Sequence, residues 1–132
     1  MIPQGFKPLF RNSPFIELLG PFFFREEGAG FIIGVRVEEK HTNARGLAHG
    51  GLFMALADIA LGYSAAFSRD PPLKLVTTSL NTDFAGSAKV GDWLEATVDI
   101  QKTGSRLVFA NSYISVGEER VVRASASFLV VG

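Results

Sequence analysis

Between Leu52 and Phe67 the chain carries a single charged residue, Asp58, in a run otherwise made of Leu, Phe, Met, Ala, Ile, Gly, Tyr and Ser. The run opens on His49-Gly50-Gly51 and is followed by Arg69-Asp70-Pro71-Pro72. It therefore reads as one helix from about Gly50 to Phe67, ended by the prolines. Wound at about 3.6 residues per turn, its apolar residues fall on every side. Such a helix must be wrapped by the rest of its domain. Its one carboxylate must then be paired or hydrogen-bonded, because a bare buried charge is costly. A structural hydrogen bond and a chemical role are both open to Asp58 at this level.

The rest of the chain supplies a wrapping. Ser13-Pro14 through Gly20-Pro21 carries the punctuation of a short helix, with Ser13 as cap and Pro14 at the first helical position. Phe22–Glu27 reads as a strand, Gly28-Ala29-Gly30 as a turn, and Phe31–Lys40 as a second strand, with Val35 and Val37 alternating against Arg36 and Glu38. Beyond the long helix, Gly91, Gly104 and Gly117 each sit in a turn-like context. The β-rich runs between and around them are Leu73–Phe84, Trp93–Gln101, Arg106–Val116 and Val121–Val131. Regular turns with short connections imply an antiparallel meander. Strands of about ten residues span roughly 34 Å, and a helix of about eighteen residues roughly 27 Å. One long sheet can thus curl around one long helix, an α+β domain over 1–132 in which 1–21 is an N-terminal segment. A single open sheet leaves the helix's far side bare. Ala55, Ala57, Gly62, Ala65 and Ala66 would allow a second chain to approach there, and Phe22–Phe24 must face two ways. At least a dimer is expected.

Composition removes several classes of function. The formal net charge of the 132 residues is zero, so no overall field favours nucleic acid or an anionic membrane surface. The chain has no cysteine, hence no disulfide, thiolate metal site or cysteine nucleophile. The N-terminus lacks the pattern of a secretory signal, and the central apolar run is short for a membrane span and broken by Asp58. A soluble protein of the cytoplasm is expected. His41 and His49 are the only histidines; neither belongs to a metal-ligand cluster, so no metal site is expected, and His41 reads as a loop or surface residue. No Gly-x-Ser-x-Gly, phosphate loop or dinucleotide fingerprint occurs.

The helix start offers chemistry. Its first N–H groups are unpaired and lie at the positive end of the dipole, and Gly50 and Gly51 leave the approach open. Fixed donors of this kind suit an oxyanion, although two glycines also make a tight turn into a helix. Asp58 lies about 13 Å along the helix and half a revolution from His49. It cannot serve a group bound at its own helix start, but it could serve the start of an antiparallel neighbour in a two-fold dimer.

Asn43-Ala44-Arg45-Gly46-Leu47-Ala48-His49-Gly50-Gly51, followed by Leu56-Ala57-Asp58, resembles the hotdog-fold acyl-CoA thioesterases of the phenylacetate-pathway type. Val76-Thr77, Asp83-Phe84, Gly91-Asp92 and Gly104-Ser105-Arg106 fall where that family has matching features, so the resemblance covers about Phe31–Val131. It implies a long helix wrapped by a curved antiparallel sheet, assembly as dimers or dimers of dimers, and hydrolysis of acyl-CoA to free acid and CoA. It implies Asp58 as general base or nucleophile, and the Gly50 amide of the partner subunit polarising the carbonyl. Asn43 and His49 would position the reacting groups. Thr77 would hold the attacking water, although many relatives have Ser there. Gly51 and Arg106 would contact substrate. Lys89, Arg45 and Arg123 are further candidates for the CoA phosphates. No cofactor is implied, since coenzyme A is part of the substrate. Two other readings remain: a non-catalytic acyl-CoA sensor, and a hydratase or dehydratase on the same fold. The acyl group is not legible.

Overall fold

The structure, a computed structural model, describes residues 1–28 and 30–132. The turn expected at Gly28-Ala29-Gly30 includes Ala29, which lies outside the described residues. In chain order the elements are β1 (Lys7–Pro8), α1 (Pro14–Leu19), β2 (Phe22–Glu27), β3 (Gly30–Arg36), a 3-10 turn (Glu39–His41), α2 (Gly50–Ala66), β4 (Leu75–Phe84), β5 (Trp93–Thr103), β6 (Leu107–Val116) and β7 (Glu119–Val130). The strands form one antiparallel sheet in the order β1-β2-β3-β5-β6-β7-β4. The strand after α2 is thus the outer edge, and the hairpins β5–β6 and β6–β7 fill the middle. Gly91 and Gly117 take φ of 95° and 59°, the left-handed conformation that tight turns require and side chains resist.

α2 lies across the inner face of this sheet. Leu52, Phe53, Leu56, Ala57, Ala60, Leu61, Ser64 and Ala65 are its buried residues. They recur at three- and four-residue spacing and so define one face. Against them pack alternate residues of the strands, among them Ile33, Val35, Leu94, Ala96, Val108, Ala110, Ile114, Ala124 and Phe128. The opposite face of α2 carries Met54, which is 40% exposed, together with half-buried Ala55, Asp58, Gly62 and Ala66. The all-round apolar helix is therefore covered on one side only by its own chain.

Several expectations shift. Ala57 and Ala65 are wholly buried against the chain's own sheet, so they do not belong to the open face. Phe22–Phe24 need no second chain. Phe22 is in the core, Phe23 packs on Trp93 at 5.9 Å between ring centroids, and Phe24 packs edge-on against Phe10 at 5.0 Å. The strand expected through Lys40 ends at Arg36. Val37 still donates to Asp92 O, but the Glu38 N–H turns to His41 Nδ1 at 2.9 Å and the chain closes into the 3-10 turn. His41 is not a surface residue, being 2% exposed. Its Nδ1 accepts from Glu38, so its Nε2–H is free to donate to the carbonyl of Leu19 at the end of α1.

Candidate active site

Asp58 sits halfway along α2 on the open face, half-buried rather than enclosed. Thr77 lies opposite on β4. Its register partner is Phe128, whose ring is buried, so Thr77 points to the inner side of the sheet as well. The ladder between β4 and β7 slips between Thr77 and Ser79. The extra residue, Thr78, spends its hydroxyl on Ser127 O. A bulge of this kind bends the edge and re-aims the neighbouring side chain. The Thr77 hydroxyl donates to Asp58 Oδ1 at 2.9 Å. This fixes one carboxylate oxygen, and both residues line a cavity of about 570 Å³. The other walls include Ile59, Gly62, Tyr63, Ala66, Leu75 and Phe128, with Arg11 and Lys74 also at its margin.

The second set of expected residues gathers at the start of α2. His49 is the N-cap, its Nδ1 accepting the Gly51 N–H at 2.8 Å. The Gly51 amide is therefore engaged, while the Gly50 N–H makes no backbone or side-chain hydrogen bond among the described residues. Asn43 organises the loop before the helix. Its Oδ1 accepts from Arg45 N at 2.9 Å and Leu47 N at 3.2 Å, and its backbone N–H donates to Leu47 O at 2.8 Å. The loop is closed from below by the 2.8 Å bond from His49 N to His41 O. Asn43 and Gly50 line a shallow hollow of about 200 Å³ with Phe53 and Phe84. A Cβ on Gly50 would come within 3.4 Å of the Phe84 ring, so glycine keeps that approach narrow but passable.

The expected residues thus fall into two separate groups within one chain. Asp58 and Thr77 line one cavity; Asn43 and Gly50 line another, while His49 and Gly51 cap the adjoining helix start without lining it. Arg106 is in neither: it lies in the exposed turn before β6, where its carbonyl accepts from Val130 N. Of the other cations considered, Lys89 pairs with Asp92 at 3.6 Å and Arg123 with Asp83 at 2.9 Å. Sequence reasoning missed the cavity wall. The spacing of Ile59, Gly62, Tyr63 and Ala66 after Asp58 follows the helical period and could have marked it. Arg11 had no such signal, because its place depends on how the N-terminal segment packs.

Comparison with known proteins places this geometry among relatives. The family model described as the thioesterase superfamily matches residues 45–127. A Pseudomonas aeruginosa protein provisionally named an esterase is 49% identical over 128 residues, covering 96% of each chain. Human acyl-coenzyme A thioesterase 13 is 29% identical over 106 residues, or 80% of this chain and 75% of that one. Among solved structures, the E. coli PaaI protein from the phenylacetic acid degradation operon superposes with a TM-score of 0.82 at 20% identity, over 92% of this chain and 86% of the other. The fold is the hotdog fold expected from residues 43–58. No helix among the described residues is long and apolar enough to cross a membrane.

Proposed function

The chain belongs to the thioesterase superfamily, and from that membership we propose that it hydrolyses an acyl-CoA thioester to the free acid and CoA. The observation that carries the reading is the Thr77–Asp58 pair in the wall of a cavity that Ile59, Leu75 and Phe128 also line. The name of its human relative, an acyl-coenzyme A thioesterase, supports the substrate class.

Two protomers complete the site. β4 is the outer strand of the sheet, and a ten-residue edge of unpaired backbone groups is a template for another strand. β4 and α2 run in opposite senses: Thr77 stands beside Asp58, and Phe84 beside Gly50 and Phe53. A two-fold axis through the middle of β4 exchanges these ends. Each Asp58 then comes beside the partner's helix start. The assembly is a homodimer, able to pair further into a tetramer.

In this site the Gly50 N–H of the partner subunit meets the thioester oxygen as negative charge develops on it. Asn43 and His49 hold the loop that aims that N–H. Asp58, held through Oδ1 by Thr77, takes a proton from water through Oδ2 while the water oxygen attacks the carbonyl carbon. The C–S bond breaks and the CoA thiolate leaves, taking the proton back. The alternative role for Asp58, direct attack to form an anhydride that water then opens, uses the same geometry. A single turnover in ¹⁸O-water that leaves label in the Asp58 carboxylate marks the second route, with water opening the anhydride at the Asp58 carbonyl, while trapping of the anhydride by hydroxylamine detects that route whichever carbonyl water attacks. No cofactor enters either route. Arg106 is the exposed cation assigned to the CoA phosphates, and the cytoplasm is the compartment proposed.

Thiol release measured over a panel of acyl-CoA thioesters tests the activity. Turnover of at least one, abolished in Asp58→Ala, is expected. Binding without turnover across the panel, or activity lost to a chelator and restored by zinc, overturns the reading.

A further inference from the structure

The cavity that begins at Asp58 has a second, charged end. From the Thr77–Asp58 contact the wall runs along α2 to Ala66, whose carbonyl accepts from Leu73 N at 2.8 Å. That is about 12 Å of helix. The side chains between are apolar but for the Tyr63 hydroxyl, with Ile59, Leu75 and Phe128 contributing. At the far end stand Arg11 and Lys74. Arg11 is brought there by its neighbour: the Phe10 ring packs on Tyr63 at 5.1 Å and on Phe67 at 5.5 Å, which lays the N-terminal segment across the last turns of α2. Lys74 immediately precedes β4. Neither cation has an ion pair among the described residues, and the only acidic residue lining the cavity is Asp58, at the opposite end.

We propose that this cavity selects acyl groups with a terminal carboxylate, the carboxylate being held by Arg11 and Lys74 while the thioester lies at Asp58. The proposal rests on the thioesterase reading above and names its substrate class. An apolar middle suits the methylenes or ring of such a chain. Two unpartnered cations suit its anionic end, the guanidinium by paired N–H donors and the ammonium as a point charge. The phosphates of CoA are the other anions available, but bringing them here would draw the pantetheine arm along this wall. Its amides would find one hydroxyl among the side chains, whereas the methylenes or ring of an acyl chain match the apolar side chains there.

The experiment compares kcat/KM for matched pairs, butanedioyl- to octanedioyl-CoA against butanoyl- to octanoyl-CoA, in the wild-type protein and in Arg11→Gln, Lys74→Gln and Lys74→Arg. The dicarboxylic member of at least one pair should be preferred. That preference ratio should fall about tenfold in each Gln variant, as expected for one charge-assisted hydrogen bond, and persist in Lys74→Arg. No preference in the wild type, or an equal loss on both members of each pair, overturns the proposal. The second result would assign the cations to CoA. If nothing is hydrolysed, affinities of the matching thioether analogues decide separately. A carboxylate preference lost in the Gln variants upholds this proposal while the hydrolytic reading falls, and its absence removes both.

Discussion

The Thr77 hydroxyl donates to Asp58 Oδ1 at 2.9 Å, across the gap between the edge strand and the central helix. The bond orients the only charged residue of α2 and leaves its second oxygen for chemistry. Asp58→Asn keeps the shape and removes the base, so hydrolysis should fall by about 10²–10⁴. Thr77→Val removes only the hydroxyl and should cost about tenfold, in line with a hydrogen bond to a charged group. Thr77→Ser, which keeps the hydroxyl, should recover most of that loss. Initial rates of thiol release under saturating substrate check all three, and a Thr77→Val enzyme as fast as wild type would show that the bond is structural only.

His41 tests the support beneath the helix start. It bridges the end of α1 and the 3-10 turn through its ring, and its carbonyl holds His49 N–H. His41→Ala leaves the half-buried N–H of Glu38 and the carbonyl of Leu19 without their ring partners. Each such loss costs about 1–3 kcal/mol. Urea unfolding should therefore show a clear drop in midpoint, and a variant as stable as wild type would mean that water replaces the ring.

How far the sequence reached depended on which face of an element was at stake. The helix at 50–66, its Ser13-capped predecessor and the four long C-terminal strands were legible because periodicity and turn residues are local. The neighbours of Asp58 were half legible. Thr77 was named through a family likeness, whereas its orientation depends on a one-residue bulge that no local pattern marks. His41 was misjudged for a related reason. An isolated polar residue after a strand looks exposed until the end of α1 is seen packed over it. Phe22–Phe24 misled in the other direction, since their cover comes from Phe10 and Trp93, distant in sequence. Arg11 was invisible for the same cause.

The core carries a residue whose removal should help. Ser112 lies on the inner face of β6, is 1% exposed, and its hydroxyl has no hydrogen-bond partner among the described residues. A buried hydroxyl without a partner forfeits its hydration and gains nothing in return. Ser112→Ala removes the oxygen and leaves a very small void. Thermal unfolding should show a gain of about 1 kcal/mol. A loss of comparable size would mean that an internal water satisfies the hydroxyl.

The composite site is tested by mixing defective chains. Asp58 and Thr77 line one cavity, and Asn43 and Gly50 another. In the proposed dimer each working site draws the first pair from one protomer and the second from its partner. Asp58→Ala homodimers should be nearly dead, since loss of a general base costs about 10²–10⁴ in rate. Asn43→Ala homodimers should be weak, because Asn43 Oδ1 holds the amides of Arg45 and Leu47 in the loop that leads to Gly50. When the two variants are unfolded and refolded together, a mixed dimer places both defects in one site and leaves the other intact. Activity should then rise well above either parent, towards half of wild type per mixed dimer. If each site were instead built from one chain, every site would carry one defect and mixing would restore nothing. Two affinity tags, one on each variant and recovered together, establish that chains have exchanged. With exchange established, activity no better than the mean of the parents rules out the shared site.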